Sequence, residues 1–330
     1  MNLRDLRDKI YGVWLAREMR LFHLRGGKVV MITGSYGKTS VKELAYDLLR
    51  KKYEVVKTGG NYNTVVGIAK TMRYEVTHQT EWLILEVGAY HVGDITYFCK
   101  ILKPEIGVIT GIARQHLERF GSFEKIIQAK TEIARYIHLH GGTLIANGSD
   151  ETVAEVVEGA RFYLGVGRDQ INQNGAKMIA SACGMSGVEI TQAVKYFRSV
   201  PSRFEMTTAR YGIRVIDDSY NSNEKSFAEA VLYLGKQNKF TRILVTPGLL
   251  ELGGESREVH EQLGNRVRGN ADIAILVGKN ERTRSLENGM AGKVKVIYID
   301  KTLEFMQVVR DLKLKKEPLV LLENDLPENH

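Results

Sequence analysis

Residues 28–50 read KVVMITGSYGKTSVKELAYDLLR, and this order constrains the fold more than any other stretch of the chain. An apolar, β-branched run leads into a glycine turn, then a lysine and two hydroxyl residues, then apolar residues at helical spacing. A phosphate-cradling loop needs that succession. Glycines let backbone N–H groups point inward, a helix N-terminus supplies the positive end of a dipole, lysine reaches the outer phosphates and a hydroxyl ligates magnesium. The candidate ligands are Gly34, Ser35, Gly37, Lys38, Thr39 and Ser40. The longer Walker A spacing is not met, because Ile32 stands where its first glycine would be. An ordinary glycine turn is the alternative that the short form leaves open.

Around this unit, short β-branched runs alternate with longer helical patterns, as βαβ units of a largely parallel sheet do. Strands are expected near 28–33, 53–57, 81–86, 106–110 and 142–146, and after Pro201 near 203–208, 212–217, 241–246, 272–277, 294–299 and 318–322. With 330 residues the chain exceeds the roughly 250–300 at which single cores stop growing, so two unequal domains are expected. The segment YFRSVPSR (196–203) lies between the two series, and its proline helps to break a continuing helix. The expected division is an N-terminal amphipathic helix over 1–27, a central α/β P-loop domain with a mostly parallel sheet over 28–200, and a Rossmann-like α/β domain over 201–330.

In the first segment Leu3, Leu6, Ile10, Val13, Trp14 and Leu21 recur at helical spacing among Arg4, Arg7, Lys9, Arg17 and Arg20. Such a helix lays its apolar stripe on the following domain or touches a membrane surface; packing is the ordinary outcome. No run reaches the ~18 apolar residues of a membrane span. Asp5, Asp8 and Glu18 interrupt any signal-peptide core. Two distant cysteines, Cys99 and Cys183, point to a reduced, cytoplasmic compartment. The balance of 47 basic against 39 acidic residues gives +8, which suits polyanionic partners. No compact basic and aromatic stripe of the kind that stacks bases accompanies it, so nucleic acid is not expected.

EWLILEVG is an apolar strand ending in Glu86, where nucleotide enzymes place a carboxylate for Mg²⁺; taken alone, an acid there is usually just solvated. At this point the residues resemble the Mur ligase family, ATP-dependent carboxylate–amine ligases, and within it the MurF type. The resemblance rests on GSYGKTS, GNYNTVVGIA (60–69), LEVGAYHVGDI (85–95), HLERFGS (116–122) with AKTEI (129–133), NQNGAKMIASA (172–182), DDSYNSN (217–223) and ELGGESREVHEQLG (251–264). It implies an ATP site in which Lys38 contacts the outer phosphates and Thr39 and Glu86 hold a first Mg²⁺. His116 would hold a second with Lys130, which this family commonly carries as a carbamate; anionic carbamate oxygens suit a cation that a free ammonium would repel. The resemblance also places Asn174 at adenine, Asp218 at ribose and Arg203 at a hinge near the phosphates, with domain closure over the nucleotide. His91 is open between ligand contact and a structural role, and Asp217, Asn221 and Asn223 can equally form a turn.

The sequence departs from the family's pattern in five places. About 27 residues precede the first strand, where a sugar-nucleotide-holding domain is expected. The stretch between Arg161 and Asn174 is short, Gly111 stands where asparagine is usual, and TPGLLELG and the segment LVLLENDLPENH differ from their counterparts. The expected function is an ADP-forming acid–amino-acid ligase working through an acyl phosphate, with ATP, two Mg²⁺, a small anionic carboxylate and an amine as its ligands. The alternatives are a nucleotide-binding pseudo-ligase that acts as a scaffold, and a generic P-loop ATPase or kinase.

Overall fold

The computed structural model describes residues 3–60, 62–195, 205–219 and 223–323. Arg203, Asn221 and the expected boundary at 200 lie outside the described residues. The chain divides into two compact units, residues 1–112 with 119–198 and residues 113–118 with 199–330.

Unit 1 opens with α1 (Leu3–Leu24) and continues through β1 (Lys28–Thr33), α2 (Lys38–Leu49), β2 (Val55–Lys57), α3 (Val65–Tyr74), β3 (Trp82–Glu86), α4 (Asp94–Leu102) and β4 (Ile106–Ile109). After α5 (Leu117–Phe120), which spans the junction of the two units in sequence, come α6 (Phe123–His140), β5 (Thr143–Asn147), α7 (Glu151–Val156), β6 (Arg161–Tyr163), α8 (Arg168–Ala182) and α9 (Gly187–Val194). Its sheet has the order β2-β3-β1-β4-β5-β6, and all its pairings are parallel. β1 lies inside this sheet, flanked by β3 and β4, at the point where the connections change direction. In open α/β sheets that point leaves a crevice beyond the carboxyl ends of the strands.

The strands read as nearly continuous apolar runs because both faces of the sheet are covered. On one face Val30, Ile32, Ile84, Val108 and Ile145 pack under Val41, Leu44 and Leu48 of α2 and Ala176 and Ile179 of α8. On the other, α6 approaches β4 so closely that a Cβ on Gly107 would meet Ile133 and Ile137. α1 packs on α3 and α4, with Leu15, Met19 and Phe22 fully buried at spacings of four and three. Each such side chain contributes about 1.5–3 kcal/mol of burial, enough to seat the helix on the unit. Ile10, Val13, Leu21 and Leu24 remain exposed. Among the described residues, no helix is long and apolar enough to cross a membrane.

Unit 2 contains β7 (Glu205–Thr208), β8 (Arg214–Asp218), α10 (Glu224–Gly235), β9 (Thr241–Thr246), α11 (Ser256–Val267), β10 (Ile273–Val277), α12 (Glu281–Met290), β11 (Lys295–Ile299), α13 (Glu304–Asp311) and β12 (Pro318–Glu323). The sheet order is β11-β10-β9-β12-β8-β7, parallel except for β7, which runs antiparallel to β8 at the edge. The core gathers Val215, Ile243, Val245, Ile275 and Val320 against Phe305 and Val309 of α13. Among the described residues, the strand that the sequence pattern does not announce is β6. Its three residues pair only with β5 at the edge, too short a run for alternation to register.

Candidate nucleotide and metal site

β1 delivers the chain to the glycine turn, and Gly37 turns it into α2 with φ +80° and ψ −17°. That left-handed conformation is open to glycine at little cost and strained for a side chain. The N-cap residue Gly37 has no side chain to cap the helix, as is common at an anion-binding helix start. The loop is braced from β4: Ser35 N–H donates to Gly111 O at 2.7 Å, and Thr110 Oγ1 donates to Thr33 O at 3.2 Å and to Tyr36 O. The Lys38 ammonium curls over the turn and donates to Gly34 O at 2.8 Å. Ser35 and Ser40 are buried.

Thr39, next in the helix, donates its hydroxyl to Glu86 Oε2 at 2.7 Å. Glu86 is nearly inaccessible, and its own N–H donates to Thr58 Oγ1 at 3.0 Å. Lys42, one helical turn beyond Lys38, is fully buried and lies 3.4 Å from the same Glu86 oxygen while donating to Gly60 O at 2.9 Å. The motif reading singled out neither Lys42 nor Thr58. Spacing would have found Lys42, because residues i and i+4 share a helix face. Thr39 and Glu86 are hard oxygen donors of the kind that hold Mg²⁺, whose remaining ligands are commonly phosphate oxygens and water, so this pair fits that ion.

Lys130 lies on α6 and is buried. Burial pushes its ammonium down to about 7, with the nearby Lys38 charge acting in the same direction and Asp94, Glu86 and Glu132 opposing. Free amine is therefore abundant at neutral pH, and free amine is the form that adds CO₂. Glu132, on the same helix, accepts from the Thr96 N–H at 2.7 Å and the Gly93 N–H at 2.5 Å and so closes the start of α4. His91 is exposed, with Nδ1 3.8 Å from the Asp94 carboxylate, which accepts from the Tyr90 and His91 N–H groups at 2.8 and 2.9 Å.

Asn174, expected at adenine, donates to Leu164 O at 2.7 Å and accepts from Lys177 at 3.3 Å. It is the neighbouring, buried Asn172 whose Oδ1 borders Gly37. Gly111, the departure from the family's asparagine, has a local reason. The Tyr36 ring covers it, so a Cβ there would overlap the ring, and the Tyr36 hydroxyl donates to Asp150.

In unit 2, Asp218 ends β8 and is buried. Asp217 accepts from the Ser219 N–H at 3.0 Å and from its hydroxyl at 2.6 Å, and Asn223 caps α10 by accepting from the Lys225 and Ser226 N–H groups. Both therefore do the turn and cap work that these residue types favour. His116, at a positive φ of 57°, pairs with Glu251 of the same unit, while Arg114 reaches Glu224 at 3.2 Å and Glu255 at 2.9 Å. Lys130 belongs to unit 1, and the pairing of His116 with Lys130 on one metal stays an implication of the resemblance. At TPGLLELG, the Leu249 N–H donates to buried His260 Nε2 at 2.9 Å, and His260 Nδ1 meets Ser256 O at 2.5 Å. His260 is thus neutral with its proton on Nδ1, and burial, ahead of other causes, lowers its pKa.

Residues 32–191 match the family described as Mur ligase middle domain, and residues 202–323 that described as Mur ligase, glutamate ligase domain. The UDP-N-acetylmuramoyl-tripeptide--D-alanyl-D-alanine ligase of Mycobacterium tuberculosis is 29% identical over 312 residues, covering 80% of this chain and 61% of its own length. The chain thus spans about three fifths of that relative. Among solved structures, MurF from Acinetobacter baumannii superposes with a TM-score of 0.84 at 23% identity, covering 98% of this chain and 78% of that one. MurF ligase from Thermotoga maritima in complex with ADP gives 0.80 at 24% identity, covering 96% and 81%.

Proposed function

The chain belongs to the Mur ligase family, and from that premise we propose that it is an ATP-dependent, ADP-forming ligase that joins a carboxylate to an amine. The observation that carries this reading is the Thr39–Glu86 pair set beside the glycine-led start of α2 and the Lys38 ammonium. Those groups suit a magnesium-bound triphosphate.

In the proposed reaction a carboxylate oxygen attacks the γ-phosphorus of ATP, ADP leaves, and an acyl phosphate forms. An amine nitrogen then attacks the acyl carbon, loses a proton, and the tetrahedral adduct expels inorganic phosphate to leave an amide. Lys38 and the α2 N–H groups offset the charge spreading over the transferring phosphoryl oxygens. Thr39 and Glu86 would hold the first Mg²⁺, which when bound would neutralise phosphate charge. Lys130, as a carbamate, and His116 are proposed for a second ion, Asn174 for adenine, Asp218 for ribose and Arg203 for the phosphates. The substrates named for the relatives, a UDP-muramoyl tripeptide and D-alanyl-D-alanine, are the first pair to test, and a basic chain at +8 suits an anionic acceptor.

The test is ADP release across a panel of carboxylates and amines that includes that pair. Turnover is expected to require both substrates and to fall by two or more orders of magnitude, roughly the loss of a phosphate-stabilising group, in Lys38→Ala and Glu86→Gln. ADP release that ignores both substrates would leave a plain ATPase, and tight ATP binding with no turnover on any pair would leave a nucleotide-binding scaffold.

A further inference from the structure

Lys42 has no part in the roles above, yet it is the most deeply placed charge near them. It is fully buried on α2, and an ammonium in that position is costly unless each N–H finds an acceptor. It donates to Gly60 O at 2.9 Å, and two carboxylates sit at ion-pair distance, Glu86 Oε2 at 3.4 Å and Glu43 Oε1 at 3.6 Å. Glu43 has a second cation in Lys57, which contacts its other oxygen. Lys42 is therefore left as the close counter-charge for Glu86. Thr39 and Lys42 both address Oε2, so Oε1 is the oxygen these two do not engage. The Gly60 contact ties the loop after β2 to Lys42, and the Glu86 N–H to Thr58 Oγ1 bond ties it to the Glu86 backbone.

We infer that Lys42 is the internal counter-ion of the magnesium carboxylate, a positioning residue that balances Glu86 while no metal is bound and so makes metal entry depend on the nucleotide. The reason is electrostatic. A divalent cation arriving alone at Glu86 meets a carboxylate already neutralised by a fixed, buried ammonium and must bind against that charge. Phosphates bring the negative charge that restores the balance. In a partly desolvated site, charges a few ångströms apart act strongly, whereas in water they would be screened. Lys42 also holds Glu86 and the Gly60 loop in the arrangement that the metal uses. This inference rests on the nucleotide reading of the site.

The experiment uses the full chain as wild type, Lys42→Met, Lys42→Arg and Lys42→Gln, with melting curves to establish folding. Mn²⁺ binding is followed by electron paramagnetic resonance, without nucleotide and with a non-hydrolysable ATP analogue. Wild type is expected to bind Mn²⁺ weakly alone and tightly with the analogue. Lys42→Met should raise nucleotide-free Mn²⁺ affinity by about tenfold, in keeping with the removal of one nearby buried charge, and Lys42→Arg should behave as wild type. If Lys42→Met does not fold, Lys42→Gln carries the same expectation. A folded neutral variant whose nucleotide-free Mn²⁺ affinity is unchanged or weaker overturns the assignment, while the analogue-dependent binding of wild type still supports the nucleotide reading. Absence of Mn²⁺ binding in wild type even with the analogue sinks the nucleotide reading, and the same absence in every neutral variant removes this inference with it.

Discussion

The ring of Tyr36 lies over Gly111 and fills the space that any side chain at that position would need, with its hydroxyl anchored on Asp150. Asp150 also caps α7 by accepting from the Val153 N–H at 2.9 Å, so the glycine turn after β1, the end of β4 and the start of α7 are locked together. Gly111→Asn alone is expected to cost about 1–3 kcal/mol, the usual range for overpacking a filled site. Combining it with Tyr36→Ser should recover most of that loss. A double-mutant cycle on urea midpoints checks this, and a coupling energy below ~0.5 kcal/mol would show that the two positions are independent.

Lys130 ties stability to pH. Its pKa is about 7 in the folded chain against an ordinary 10.5, so between those values the unfolded chain carries a proton that the folded chain has given up. Stability therefore rises with pH across that window, because keeping Lys130 uncharged is a cost that deepens toward pH 7. Lys130→Met should stabilise the metal-free protein at pH 7 by ~2 kcal/mol or more and flatten the slope between pH 7 and 10. Thermal melts across that range measure both. The same substitution should erase a carbamate carbon signal in wild-type protein equilibrated with ¹³C-bicarbonate.

His260 acts in the same direction at lower pH in unit 2. It is buried as the neutral ring, with a pKa below the ordinary 6.5, so the unfolded chain gains a proton near pH 6.5 that the folded chain refuses. Its contribution is present above that pH and is lost as the solution is acidified. His260→Gln should lower stability at pH 7.5, because the Leu249 and Ser256 bonds are imperfectly replaced, yet lose less than wild type between pH 7 and 5. Equal acid slopes in the two proteins would rule out His260 as the titrating group.

The α11 and α12 helices touch through glycines. A Cβ on Gly264 would strike the Leu286 carbonyl, and one on Gly289 the Glu261 carbonyl, both main-chain groups that cannot rotate away. Gly264→Ala and Gly289→Ala are each expected to destabilise the protein by about 1–3 kcal/mol despite the better helix propensity of alanine. Chemical denaturation checks this. A stabilised Gly264→Ala protein would mean that the helices can part at no cost.

The strands other than β6 were legible because they are apolar runs that helices cover, and the glycine turn between β1 and α2 because its residues are adjacent in the chain. Glu86 could be placed at a strand end, though its bond to Thr39 comes only from the parallel register of β1 and β3. Thr58 and Asn172 were invisible as site residues, since a threonine in a loop or an asparagine on a helix usually faces water, while Lys42 shares the Lys38 face of α2 and only the fold buries it against Glu86. Gly111 stood out only as a missing asparagine until the Tyr36 ring was found above it.

The sequence by itself determined the alternation of strands and helices, the glycine turn and the family, all of which depend on neighbours along the chain. Tertiary structure alone decided that Lys42 is buried against Glu86, that Lys130 titrates near 7 and that His116 pairs with Glu251. Those outcomes follow from desolvation and from charges supplied by residues distant in sequence. Such terms take a value only once the sheet order has brought the segments together.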